Sequence, residues 1–145
     1  MNILLSLKPK YAEAILSGKK RYEFRRAIFK QPSVKKAYIY STAPIGKIVG
    51  SFTIDKVLVD SPQRIWQKCK KYAGITVEAF FAYYHGCEKA FAIKIRKVER
   101  FIPINPYSRI KNFRPPQSFC YVGDSLFQEF SLLRWISETF ELKTS

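Results

Sequence analysis

The sequence predicts an α+β fold, a small mixed or antiparallel β-barrel flanked by helices. Three observations predict it. Strand-like and helix-like stretches follow one another as β-α-β-β-β-α-α-β, then an irregular stretch and a last helix. Three of those strands run on with no helix between them, which disfavours a parallel doubly wound sheet. The 145 residues are 47% hydrophobic and 16% aromatic, enough to bury one core and too apolar for a disordered basic chain.

Ile3-Leu4-Leu5-Ser6-Leu7 reads as a buried strand. Pro9 suits the first turn of a helix and Gly18 its exit, with Tyr11, Ala12, Ile15 and Leu16 on one stripe between them. Lys20–Arg26 reads as a strand with Tyr22 and Phe24 on one face and Arg21, Glu23 and Arg25 on the other. Residues 27–35 read as a loop, 36–41 as a strand, and Ala43-Pro44-Ile45-Gly46 as a turn.

Residues 47–59 form a long β-run. Its apolar phase switches from Ile48, Phe52 and Ile54 to Val57 and Val59, which calls for a bulge near Asp55-Lys56. Ser61-Pro62 opens a helix carrying Ile65, Trp66, Cys69 and Tyr72. Val77, Phe80, Phe81 and Tyr84 mark another, closed at Gly86. Residues 90–100 read as a second long strand with Phe91, Ile93 and Ile95 inward and Lys94, Arg96 and Arg100 outward. Residues 101–122 hold four prolines and look irregular. Ser125 and Gln128 make a capping box for a final helix to about Ser137. The organisation expected is one domain over residues 1–122 and a helical extension over 123–145 packed on it.

The net charge is +15, and residues 1–122 carry +17 of it, since residues 123–145 are net −2. A folded domain that basic is under self-repulsion, and a polyanionic partner is the common reason to keep it so. Nucleic acid, RNA or DNA, is the first candidate. A membrane partner is not expected, because no apolar run approaches the roughly 20 residues of a span and no basic amphipathic helix occurs. The apolar N-terminus lacks the basic leader of a signal peptide, so a cytoplasmic protein is expected.

Cys69, Cys87 and Cys120 are too few and too scattered for a disulfide framework. No metal site is expected, because His85 is the one histidine and pairs in sequence with Cys87 alone. His85 reads as a loop residue closing a helix. No cofactor is expected either, as the six glycines form no phosphate-binding loop.

The densest polar stretch is Gly18-Lys19-Lys20-Arg21-Tyr22-Glu23-Phe24-Arg25-Arg26, five cations around one carboxylate where a helix turns into a strand. Glu23 and Arg25 share a strand face. There the carboxylate can hold an exocyclic amine while the guanidinium binds phosphate or a base; the plainer alternative is a surface ion-pair ladder worth about 0–1 kcal/mol.

Leu5-Ser6-Leu7-Lys8-Pro9, Tyr11-Ala12, Ile15-Leu16 and the Gly18, Lys20, Glu23, Arg25, Arg26 core together resemble the opening signature of ASCH domains, a branch of the PUA-like superfamily. Lys47–Phe52 and Ala90–Ile95 are similar to the family's later strands. Pro115-Pro116-Gln117-Ser118-Phe119 resembles a motif of a prokaryotic subgroup described as RNA-binding or regulatory.

The resemblance implies a PUA-like barrel with a cleft beside the first helix, and RNA, a nucleobase or a modified nucleoside as ligand. It sets Lys20, Glu23 and Arg25 at the cleft mouth. Ser41 and Thr42 at a strand end would close it, with Gln117, Ser118 and Phe119 on the Pro-rich loop. Phe119 or Tyr121 would stack a base, worth about 1–3 kcal/mol. Lys8, Lys19, Arg21, Arg26 and Arg114 complete the candidate nucleic-acid-binding set. Phe119 has a second reading, as a plug of the barrel.

Some ASCH proteins are amidohydrolases acting on N4-acylated cytidine, and the resemblance gives Lys20 the catalytic role there, with Glu23 beside it. Crowding by Lys19, Arg21 and Arg25 should depress the Lys20 pKa and supply a neutral amine. Glu23 stands where that branch has threonine, and its carboxylate opposes the depression. Other ASCH proteins are nucleases. The reading carried forward is a non-catalytic RNA or DNA reader that recognises a modified base in a regulatory role, with amidohydrolase as the second. The third is a protein-interaction module through the C-terminal helix, with a homodimer about Trp135.

Overall fold

The computed structural model describes residues 1–123 and 139–141. The predicted final helix, and Trp135 with it, lies outside the described residues.

The opening segment sets the first corner. Strand β1 (Asn2–Leu7) leads through Lys8 into helix α1 (Pro9–Leu16), with Pro9 in its first turn. The chain leaves α1 through Gly18, whose φ of 82° is left-handed and free of strain only for glycine. Strand β2 (Tyr22–Arg25) follows at once. Strand β3 (Lys36–Ser41) and the long β4 (Lys47–Asp60) come next, as the apolar alternation requires.

Helix α2 (Pro62–Cys69) is capped by the Ser61 hydroxyl, which accepts from the Arg64 N–H. Helix α3 (Val77–Tyr83) is capped in the same way by Thr76. His85 lies just beyond α3 and donates its N–H to the Ala82 carbonyl, the helix-closing place predicted for it. Strand β5 (Ala90–Ile104) runs four residues past the predicted end.

The stretch expected to be irregular holds two short elements. Helix α4 (Pro106–Arg109) starts on an Asn105 cap, and strand β6 (Phe119–Val122) pairs with β1. Proline density hid both: Pro106 occupies the one helical position where proline costs nothing, and Pro115-Pro116 precede β6 rather than sit in it. A further strand, β7 (Thr139–Glu141), pairs with β5.

The strands form one sheet in the order β2-β5-β4-β3-β1-β6, with β7 beside β5. Among the described strands only β1 and β3 run parallel; the other pairs are antiparallel. The register of β4 against β5 shifts at Ile48/Gly50 and on both sides of Ile54; the last shift passes over Asp55, so the bulge lies where the phase switch predicts it. These shifts curl the sheet into a half-barrel. Gly50 permits the closest approach: a Cβ there would meet the Glu99 backbone carbonyl and lie 2.6 Å from Leu16 Cδ2.

Apolar residues gather on both faces. Ile3, Leu5, Ile15, Leu16, Ile39, Phe52, Ile93 and Ile95 fill the concave side under α1. Leu4, Tyr38, Tyr40, Ile48 and Phe101 face the other way and are covered by Ile110 and Phe113. At the far end α2 and α3 cover Tyr22, Phe24, Ala90 and Ala92. Hence Ile3–Leu5 is a continuous apolar run rather than an alternating one: both of its faces are buried.

The ends of the sheet are the feature that matters for function. Strand β2 is one terminal strand and β6 the other, and no ladder joins them. The C-terminal end of β1 and strand β2 therefore face each other across an open seam.

Candidate functional site

A cavity of about 480 Å³ occupies that seam. Ser6, Leu7 and Lys8 form the β1 wall, and Glu23, Phe24 and Arg25 the β2 wall. Tyr11 comes from α1, Ala79, Ala82 and Tyr83 from α3, and Lys20 from the corner between α1 and β2. The volume lies within the roughly 300–1,000 Å³ typical of small-molecule sites.

Lys20 is the most unusual residue in the molecule, a lysine only 2% exposed. Its backbone is fixed by donating to Ala14 O at 2.9 Å. Nζ donates to Ala73 O at 2.6 Å and lies 4.6 Å from the Phe24 ring centroid and 5.4 Å from that of Tyr11. Gly74 packs on the lysine stem so tightly that any Cβ there would overlap it, at 2.6 Å from Lys20 Cγ. Lys20 thus forms the floor of the cavity, not its mouth.

Burial brings the Lys20 pKa down from 10.5 to about 8; Arg25 adds slightly, while Glu23 and Cys69 oppose. The depression expected from crowded cations is real, but its main cause is different. Lys19 is exposed, and the Arg21 guanidinium is taken up by the Tyr72 ring at 3.9 Å.

This shift has a measurable consequence. Between pH 8 and 10.5 the unfolded chain holds a proton on Lys20 that the folded chain has lost, so the charge-burial cost is relieved as pH rises through that window. Below pH 8 both states are protonated and the cost is complete. We expect the stability of the wild-type protein to rise relative to Lys20→Met from pH 8 to 10.5 in denaturant titrations. Parallel pH profiles would contradict it.

Glu23 and Arg25 are 6% and 8% exposed, and Arg25 Nε lies 2.9 Å from Glu23 Oε2. They are a buried pair, not the surface ladder considered above. Strand alternation does put them on the face opposite Tyr22 and Phe24, but both faces of β2 are covered.

Arg25 Nη1 donates to Ser118 Oγ at 2.8 Å, and Ser6 Oγ donates to Pro116 O at 2.6 Å. These two bonds, with the Ser6 N–H donating to Ser118 O at 3.1 Å, tie the Pro-rich loop to both walls of the seam. The Tyr84 hydroxyl holds Arg25 O at 2.9 Å. Arg25 Nη2 is buried with no hydrogen-bond partner among the described residues. A guanidinium nitrogen left so is a standing cost that an anionic ligand can relieve.

The other candidates divide. Lys8 lines the cavity. Arg26 lies beside it, its guanidinium 4.7 Å from the Tyr83 ring. Ser118 reaches it through Arg25, while Gln117 and Arg114 are exposed on the loop. Ser41 is buried within β3, and the Thr42 N–H is used by Leu7 O at 2.9 Å; neither lines the cavity.

Phe119 packs on the core edge-to-face with Phe29, which is the plug reading. The Tyr121 hydroxyl accepts from the Lys30 N–H at 2.8 Å, pinning the 27–35 loop. The aromatic groups in the cavity are instead Tyr11, Phe24 and Tyr83. Tyr83 lies off the apolar stripe of α3, and that displacement was the signal for it. Ala79 and Ala82 gave none.

Fold and site together define the class. The ASCH domain model matches residues 5–103, and the chain belongs to that family. Among its relatives is the ASCH domain-containing ribonuclease of Zymomonas mobilis subsp. mobilis, 32% identical over 123 residues and covering 82% of each chain. The crystal structure of ASCH from Zymomonas mobilis superposes with a TM-score of 0.84 at 28% identity, over 98% of both chains. The large ribosomal subunit protein uL22 of Ureaplasma parvum is 26% identical over 120 residues, 83% of this chain but 39% of that protein. The mixed half-barrel is thus the fold of the family. No helix among the described residues is long and apolar enough to cross a membrane.

Proposed function

We propose that the protein binds RNA, seating an unstacked nucleotide in the seam cavity. One observation carries this reading: two nearly buried cations, Lys20 and Arg25, share a cavity walled by Tyr11, Phe24 and Tyr83. Cations there attract phosphate, the rings accept the face of a base, and the Glu23 carboxylate can accept from an exocyclic amine. The ribonuclease relative and the net charge of +15 support RNA as the polymer.

Binding to a short single-stranded RNA, followed by fluorescence anisotropy, should weaken with salt. Lys8, Lys20 and Arg25 used as three phosphate contacts give a log–log slope of about −2. No binding at low salt would sink the proposal.

RNA cleavage is the second reading, favoured by the relative's activity and by a lysine pKa near 8. In it the neutral Lys20 amine takes the proton of a 2′-hydroxyl and that oxygen attacks the adjacent phosphorus. Arg25 steadies the phosphoryl charge, and the 5′-oxygen leaves and takes up a proton. Fragments ending in a 2′,3′-cyclic phosphate, absent with Lys20→Met, would establish it. Amidohydrolysis of N4-acylcytidine would use the same amine and ranks below both, because Glu23 stands where that branch has threonine.

A further inference from the structure

A second, smaller cavity of about 210 Å³ adjoins the first. Tyr11, Ile75 and Ala79 line both, while Lys10, Gly74 and Thr76 line only the smaller. By itself it falls below the size of an ordinary ligand site, so it makes sense as an annex to its neighbour.

Tyr11 stands between the two. Lys20, which lines only the larger cavity, has its ammonium 5.4 Å from the Tyr11 ring centroid. Lys10, which lines only the annex, has its ammonium 4.9 Å from the same centroid. One aromatic partition with a cation in each compartment matches a ligand of two linked units, each an aromatic ring with its own negative charge. A dinucleotide step has that form.

We propose that the annex is a second nucleotide subsite, so that the protein grips two consecutive nucleotides of one strand across Tyr11. The proposal rests on the RNA-binding reading of the larger cavity. The seam positions the first nucleotide; Lys10 meets the phosphate of the second, and its base lies along Tyr11 and Ile75. Stacking on such a ring is tolerant of sequence, so the annex adds affinity more than base selectivity.

Three sets of probes test this by calorimetry: the nucleoside 5′-monophosphates, the nucleoside 3′,5′-bisphosphates, and the 5′-phosphorylated dinucleotides. The dinucleotide should bind at least about tenfold tighter than the monophosphate, about 1.4 kcal/mol. The bisphosphate, which supplies the second phosphate without a second nucleoside, should gain only part of that. Lys10→Ala changes an exposed residue outside the larger cavity; it should lower dinucleotide affinity several-fold and leave the monophosphate unchanged. Tyr11→Leu should reduce both.

Monophosphate binding with no dinucleotide gain overturns the second subsite alone. A gain matched fully by the bisphosphate, or one untouched by Lys10→Ala, overturns it as well. Failure of every probe and of longer RNA overturns the RNA reading, and the subsite with it.

Discussion

Arg25→Ala should abolish RNA binding and destabilise the fold by about 3–5 kcal/mol. Both losses come from one guanidinium. Removing it leaves the Glu23 carboxylate nearly buried without its ion-pair partner, and Ser118 without the donor that ties the Pro-rich loop to β2. Most of the stability loss is the cost of an orphaned buried charge, not the worth of the pair. The double variant Glu23→Gln, Arg25→Met should therefore recover most of the stability while RNA binding stays lost. Urea denaturation and anisotropy measured on all three proteins separate the two effects. A double variant no more stable than Arg25→Ala would refute this account of the pair. Arg25→Lys should bind weakly, since an ammonium cannot hold Glu23, Ser118 and a phosphate together as a fork can.

Phe80→Ala should cost about 3–5 kcal/mol. Phe80 is fully buried and meets four aromatic neighbours: Phe24 and Trp66 at 5.0 Å, Tyr84 at 4.9 Å and Phe81 at 5.1 Å. It is the residue by which α3 sits on β2, and α3 supplies Ala79, Ala82 and Tyr83 to the cavity. Ligand affinity should fall together with stability, because the wall that carries Tyr83 loses its anchor. Thermal denaturation checks the first effect and nucleotide binding the second. A Phe80→Leu variant, which keeps most of the volume, should restore much of both.

Why the site residues were legible while the site was not is visible in Lys20. The Gly18–Arg26 stretch drew attention through its charges, and three of its charged members, Lys20, Glu23 and Arg25, do line the cavity. Their burial was not legible. It depends on Ala73 and Gly74, more than fifty residues away, which accept the Lys20 ammonium and make room for its stem. Neither residue carries a pattern that says so.

The same limit applies to β2, where alternation separates Tyr22 and Phe24 from Glu23 and Arg25 but could not show that both sets are buried or that Phe24 lines the cavity with Glu23 and Arg25. Local signals did better where the physics is local. Pro9 and Ser61 start helices α1 and α2, Gly18 and Gly86 turn left-handed, and the phase switch in β4 locates a bulge. Phe119 illustrates the opposite case. As an aromatic on a basic protein it suggests base stacking, yet it packs on the core beside Phe29, because β6 pairs with β1 and turns it inward.

The central claim is that RNA enters the seam between β1 and β2. Titrating a short single-stranded RNA into isotopically labelled protein and following backbone amide shifts tests it most directly. We predict that the perturbed amides centre on residues 6–11, 20–25, 74–76 and 79–83, the walls of the two adjoining cavities. Perturbations spread evenly over the basic exterior, with those four segments unmoved, would contradict it.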